Sequence, residues 1–347
     1  MKRTITIGLA VIVVLAIAAY ATLKLNIERL VAWQIDQTVV AAITAQDVSD
    51  DSFEIVFCGT GSPQFQPDRG QPCHAIIAGG RLLVFDAGQG AAQGIQATGA
   101  PLIRLDTVFL THLHSDHMSG LGDVLHNSWL YGRQTPVEVI GPPGTENMLA
   151  GMQQFFAADT EERHARIGSE YGDTDIGLGT ARDVTISGSR LVEVYNRDGI
   201  VVSAFLVDHP DWEHAFGYRI DYQGKSIVIS GDTRRSDNLV RHAEGVDYLI
   251  HEALNTDMMQ TIADALRRTD APLDPGRMDI IINTHTPTDQ LAELAAEAEV
   301  GHLVLTHFIP PIPANWIAEE AFAAGMDDIY DGPITLARDG MRLNLAE

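Results

Sequence analysis

Three imidazoles and a carboxylate fall within six residues, in the run His112-Leu113-His114-Ser115-Asp116-His117. Imidazole nitrogen suits zinc and similar borderline metals, and a carboxylate can complete or bridge a neighbouring ion. Packing alone does not explain such a cluster, because each buried imidazole needs a polar partner. One segment supplies at most four ligands, so a two-metal site must recruit residues from elsewhere. His209 in Val-Asp-His-Pro, Asp232 in Ser-Gly-Asp-Thr and His307 in Leu-Thr-His-Phe each follow an apolar run. Taken singly, each reads as a satisfied structural histidine or a helix-capping aspartate. Taken with the first cluster, they read as ligands gathered at converging strand ends, which hold side chains rigidly enough for a metal site.

The elements that must position them are short apolar runs alternating with helical stretches. The pattern predicts strands at 53–58, 82–86, 107–111, 137–140, 191–195, 201–207, 216–222, 225–230, 247–250 and 302–306. It predicts helices at 118–131, 144–157, 236–243, 256–268 and 289–299. Hairpin-like neighbours mixed with strand–helix units define an α/β (α+β) class, with sheets covered by helices. Residues 159–190 are polar and glycine-rich and read as a variable loop or lid.

The motifs resemble those of the metallo-β-lactamase superfamily. HLHSDH matches the HxHxDH signature. Gly59-Thr60-Gly61-Ser62-Pro63, Asp86-Ala87-Gly88-Gln89-Gly90, Ser230-Gly231-Asp232-Thr233, His251-Glu252-Ala253 and Leu305-Thr306-His307 also fit, over residues 53–345. The GTGSP and HEA elements are most similar to the ribonuclease Z, arylsulfatase and phosphodiesterase branch. The resemblance implies a four-layer αββα sandwich with its site at one edge, between the sheets. It implies two divalent ions, zinc first and manganese or iron as substitutes, sharing a hydroxide that attacks phosphodiester or sulfate-ester bonds. One ion takes His112, His114 and His209, the other Asp116, His117 and His307, and Asp232 bridges them. Spacing leaves His209 and His214 both open; the apolar-run–His–Pro context favours His209. Asp86 matches the family's structural aspartate. Asp116 is also expected to orient the nucleophile. His285, in Asn-Thr-His-Thr-Pro, is expected to protonate the leaving oxygen with His251 and Glu252 behind it; a surface loop histidine is the other reading. His74, His126, His164, His242 and His302 match no motif and read as structural or surface residues. His126, Trp129, Tyr131 and Arg133 either line the substrate mouth or belong to a helix covering the core.

The chain has 347 residues, 23 Lys+Arg against 47 Asp+Glu, and a formal net charge of −24. That sign repels phosphate backbones and argues against a general nucleic-acid binder, although a bound metal pair can reverse the potential locally; the expected partner is a small-molecule ester, with nucleic acid disfavoured. Lys2 and Arg3 precede an uncharged run from Ile5 to Leu23, long enough to cross a bilayer. Residues 1–23 are therefore a signal anchor or a cleaved signal peptide, 24–50 a juxtamembrane helix or linker, and 51–347 the hydrolase domain. Either reading exports the domain from the cytoplasm, anchored through 5–23 or released. Cys58 and Cys73 either pair there or stay separate buried thiols. A homodimer stays open. Three features oppose a ribonuclease Z acting on tRNA 3′ ends: the acidic chain, the export segment, and a bare Gln223-Gly224 connection where that family carries its tRNA-clamping arm. A lactone or thioester hydrolase and a non-catalytic metal binder are the remaining alternatives.

Overall fold

A computed structural model describes residues 2–37, 52–167, 177–210, 212–269, 274 and 276–345. The chain divides into two compact units, Met1–Asp47 and Val48–Glu347. The first carries helix α1 (Lys2–Ile35), in which Val11–Ile35 is long and apolar enough to cross a membrane, with a mean hydropathy of 1.8. The helix continues past the expected boundary at Leu23; residues 38–50 of the expected linker lie outside the described residues.

In the second unit the chain runs β1 (Phe53–Gly59), β2 (Cys73–Ala78), β3 (Arg81–Phe85), α2 (Ala91–Ala97), β4 (Leu105–Phe109), α3 (Ser115–Met118), α4 (Leu121–Leu130), β5 (Glu138–Gly141), α5 (Thr145–Ile167) and β6 (Thr180–Asp183). It continues through β7 (Val192–Arg197), β8 (Ile200–Leu206), β9 (Phe216–Tyr222), β10 (Lys225–Ile229), α6 (Asp237–Ala243), β11 (Tyr248–Leu254), α7 (Thr256–Arg267), α8 (Gly276–Ile282), α9 (Thr288–Glu297), β12 (Leu303–Ile309), α10 (Trp316–Phe322), β13 (Ile334–Leu336) and β14 (Arg342–Asn344). Two seven-stranded sheets result, ordered β14-β1-β2-β3-β4-β5-β6 and β13-β12-β11-β10-β9-β8-β7.

Phe57, Phe85, Phe109, Tyr218, Ile229 and Val304 pack between the sheets. The opposite face of the first sheet meets α2, α4 and α5 through Val56, Val108, Ile95, Leu125 and Leu149. That of the second meets α6, α9 and α10 through Val228, Leu249, Leu239, Leu291 and Phe322. This is the four-layer αββα sandwich. Strands such as β12 are buried along their whole length, so they read as continuous apolar runs without alternation.

Several elements depart from the sequence reading. Strand β2, Cys-His-Ala-Ile-Ile-Ala, is entirely buried, yet its short run with small residues carries little strand signal. Edge strand β6 is polar and half exposed. Helix α5 extends to Ile167 and replaces the start of the expected 159–190 loop; residues 168–176 lie outside the described residues. The residues considered for a substrate mouth belong to a covering helix and its end. Trp129 is buried, and Arg133 is fully buried, donating to the Gly177 carbonyl at 2.8 Å. His126 pairs with Asp159 of α5 at 2.9 Å. Cys58 and Cys73 form a disulfide between β1 and β2. β9 and β10 are joined directly by Gln223 and Gly224, with φ of 50° and 77°, a two-residue hairpin turn that matches strand twist.

Candidate metal centre

Asp86 follows β3 and organises the first half of the site. Its Oδ1 accepts the Thr111 backbone N–H at 2.8 Å. Its Oδ2 accepts the Thr111 hydroxyl at 2.8 Å and faces His117 Nδ1 at 2.8 Å. Thr111 Oγ1 in turn lies 3.1 Å from His112 Nδ1. One buried carboxylate therefore orients both rings and leaves their Nε2 atoms facing forward. Helix α3 then presents Asp116 and His117. Its backbone packs so closely on the Asp86 loop that a Cβ on Gly88 would lie 2.0 Å from the Asp116 carbonyl, which excludes any other residue there.

The second sheet supplies the other half. His209 follows β8 and Asp232 follows β10, across Gly231, whose φ is +62°. His307 lies inside β12, not beyond its end. It has a φ of +47° and sits where the β11–β12 register shifts; the irregularity turns a strand residue into the site.

Two groups of ligand atoms converge, His112, His114, His209 and Asp232 in one and Asp116, His117, Asp232 and His307 in the other, each within 4.8 Å of one another. His114 Nδ1 is 2.8 Å from His112 Nε2 and 3.4 Å from His209 Nε2. Asp116 Oδ2 is 3.4 Å from His117 Nε2 and 3.3 Å from His307 Nε2. Asp232 Oδ2 is 4.0 Å from His112 Nε2, 3.3 Å from His117 Nε2 and 3.4 Å from His307 Nε2. Asp232 thus belongs to both groups. His214 belongs to neither.

The donor set fits a pair of divalent metals. His117 Nε2 and Asp232 Oδ1 are buried without a hydrogen-bond partner, a cost that a cation removes. Burial lowers the affinity of His112, His114 and His209 for protons, which leaves neutral imidazoles able to bind metal. Burial also pulls His117 down, but Asp232, Asp86 and Asp116 outweigh it and raise its pKa well above 6.5. Burial opposes the ionisation of Asp232, yet His307, His117 and His112 hold it well below the carboxylate range. The carboxylates around His117 demand a positive charge, and a metal can supply it in place of a proton.

His285 stands beside both groups, with ring centroids 5.9 Å from His209 and 5.7 Å from His307. Its Nδ1 lies 3.2 Å from Glu252 Oε1. Burial lowers its pKa, but Glu252 prevails and raises it to about 9. Glu252 Oε1 also accepts the Thr286 N–H at 3.0 Å, which fixes the loop. His251 does not share this work. Adjacent strand residues face opposite ways, and its Nδ1 instead meets the Glu252 carbonyl oxygen at 2.6 Å. Of the expected supporting pair, only Glu252 touches His285.

Trp212 and Asp339 escaped the sequence reading, and His74, read there as a structural or surface residue, lies beside the site. Trp212 Nε1 lies 2.7 Å from His114 Nε2; its place three residues after His209 was the available signal. His74, on β2, lies 3.0 Å from Thr306 Oγ1 beside His307. Asp339 accepts the Thr60 N–H at 2.9 Å and its hydroxyl at 2.7 Å, pinning the GTGSP loop. No local pattern marked the last two.

Fold and site define a two-sheet hydrolase of the metallo-β-lactamase kind, with clustered His and Asp side chains able to hold metal ions. The chain belongs to the β-lactamase superfamily, whose domain model matches residues 81–308. It is 33% identical over 295 residues to ribonuclease Z of Mycobacterium avium (strain 104), covering 84% of this chain and 98% of the relative. The fold is similar to that of human tRNase Z, short form, with a TM-score of 0.57 and 23% identity over 84% of this chain and 98% of that one. It is also similar to the metallo-β-lactamase fold protein YhfI from Bacillus subtilis, with a TM-score of 0.57 and 17% identity over 84% and 99% of the two chains.

Proposed function

We propose that this protein is a two-metal phosphodiesterase acting outside the cytoplasm. The observation that carries this reading is the pair of ligand groups sharing Asp232, with His285 held beside them by Glu252. In this reading His112, His114, His209 and Asp232 hold one ion, and Asp116, His117, His307 and Asp232 the other. Their nitrogen-rich donors suit zinc. A bound pair supplies Lewis acidity and lowers the pKa of water. Asp116 orients the attacking water through its carboxylate. Glu252 holds His285 by Nδ1, so that Nε2 keeps its proton at neutral pH and delivers it to the leaving oxygen. The relatives named ribonuclease Z move weight from sulfate esters to phosphodiesters.

The same relatives favour a second reading, an RNA 3′-end nuclease, against the expectation from bulk charge that nucleic acid is disfavoured as a partner. The direct Gln223-Gly224 hairpin and the net charge of −24 count for short diesters. Location outside the cytoplasm is supported by the apolar α1 span and by the Cys58–Cys73 disulfide, since such bonds persist in oxidising compartments. The test is hydrolysis of bis(p-nitrophenyl) phosphate and of a 3′-extended tRNA by the zinc-loaded chain, with Asp232→Ala as control. We expect diester turnover that the substitution abolishes, with the tRNA left uncut. Cleavage of the tRNA would establish the second reading, and two bound metals without turnover on either substrate would refute both.

A further inference from the structure

The end of the sandwich remote from the metal centre carries a cavity of about 730 Å³. Arg81, on its wall, opens β3, and Asp86 follows the other end of that strand; the strand between them spans about 16 Å. Two further arginines line the cavity from separate parts of the fold, Arg104 in the 3-10 turn before β4 and Arg197 at the end of β7. Asp106 and Asp198 stand among them. Three guanidinium groups therefore meet two carboxylates, a local excess of positive charge on a chain whose net charge is −24.

The carboxylates hold two of the arginines in place. Arg81 spans both, with Nη1 2.6 Å from Asp106 Oδ2 and Nη2 2.6 Å from Asp198 Oδ2. Arg197 Nη1 lies 3.3 Å from the same Asp106 oxygen, and its guanidinium sits over the Tyr195 ring at 5.4 Å. Asp106 Oδ1 accepts the Thr107 hydroxyl at 2.9 Å, so this carboxylate is already engaged. The exposed Arg104 side chain has no hydrogen-bond or ion-pair partner among the described residues.

A guanidinium stays charged and offers paired donors that match phosphate oxygens. Arginines arriving from three elements around one cavity suit a tetrahedral anion, whose oxygens do not lie in one plane, better than a flat carboxylate. The volume is that of a small-molecule site and leaves room for the organic part of an ester. We infer that this groove is a second ligand site, which takes the phosphate group of a phosphomonoester on Arg104 and Arg197, with Arg81 holding the charge balance behind them. The hydrolase unit begins at this same end: Phe53 opens β1, and its ring lies 5.3 Å from that of Tyr222, another lining residue. A soluble ester and a lipid headgroup present the same chemistry there. The site is independent of the metal assignment and of the bond cleaved at the metal centre.

The test is isothermal titration calorimetry of the full chain in detergent with glycerol 3-phosphate, zinc-loaded and after the zinc has been stripped. Wild type should keep one bound glycerol 3-phosphate in the stripped protein, because phosphate held by the metal ions is lost with them. Arg104→Gln/Arg197→Gln should weaken that binding about tenfold or more, as expected for lost hydrogen bonds between charged groups. Asp198→Asn retains a residue type suited to the φ of 51° at this position and removes one opposing charge, so it should tighten binding by up to about fivefold. Dihexanoyl phosphatidic acid, titrated in parallel, separates a lipid headgroup from a soluble ester, the tighter ligand giving the source. Affinities for both probes that the substitutions leave unchanged, or no binding of either probe to the stripped protein, overturn the inference and leave the metal assignment intact. A chain that takes up no zinc yet binds a probe refutes the metal assignment alone.

Discussion

Asp86→Ala isolates a residue that orients one histidine of each ligand group, His112 through Thr111 and His117 directly, without itself joining either group. The Asp86 side chain is 3% exposed and meets three groups, the Thr111 N–H, the Thr111 hydroxyl and His117 Nδ1, each at 2.8 Å. Leaving a buried donor unpaired costs about 1–3 kcal/mol, and removing one member of a buried ion pair costs about 3–5 kcal/mol. These costs overlap, because the carboxylate is a single partner to all three groups. We therefore expect the metal-free protein to lose about 3–5 kcal/mol of stability. The sign with pH follows from His117. Its raised folded-state pKa makes the Asp86 contribution complete below about 6.5, and the contribution fades as pH rises through the folded value. Loss of the group that orients ligating imidazoles should also weaken metal affinity about 10–100-fold. Urea unfolding in chelator measures the first effect, and competition with a chromogenic chelator the second. Zinc affinity within about twofold of wild type, with stability within about 0.5 kcal/mol, would falsify the claim that Asp86 orients His112 and His117.

His285→Gln should retain two metals and lose about 10²–10⁴-fold in kcat if His285 is the acid; steady-state kinetics beside metal analysis decides this, and near-normal kcat removes His285 from the chemistry. In the chelated protein, the raised His285 pKa of about 9 contributes stability that is complete below 6.5 and lost as pH rises to about 9, at most about 3 kcal/mol. Urea midpoints across that range should fall in wild type more than in His285→Gln; parallel curves would show that the Glu252–His285 pair contributes nothing. Replacing Cys58 and Cys73 together by serine opens a crosslink of sequence separation 15, worth about 3 kcal/mol. A lowered Tm is expected, and an unchanged Tm under non-reducing conditions would show that the bond adds no stability.

What the chain's order alone determined is the set of parts. His112, His114, Asp116 and His117 fall within six residues, and His209 and Asp232 follow apolar runs, so each could be recognised as a ligand held near a strand end. Period-two and continuous apolar patterns marked β9 to the residue and most other strands nearly so, because local burial leaves a local signature. Fully buried β2 and polar β6 left almost none. Only the tertiary structure decided which atoms meet. Asp86 serves His112 and His117 because two strands of one sheet bring its carboxylate to Thr111. Asp232 stands between both ligand groups because the second sheet packs at that distance from the first. Glu252 reaches His285 while its neighbour His251 faces away, a consequence of strand pleat combined with loop placement. Cys58 pairs with Cys73 because β1 and β2 are antiparallel neighbours in that register, and Trp212 reaches His114 because a turn folds it back over His209. Sequence period reports which face of an element is buried, but the partner across the sandwich depends on the packing of segments up to about two hundred residues apart, such as Asp116 and His307.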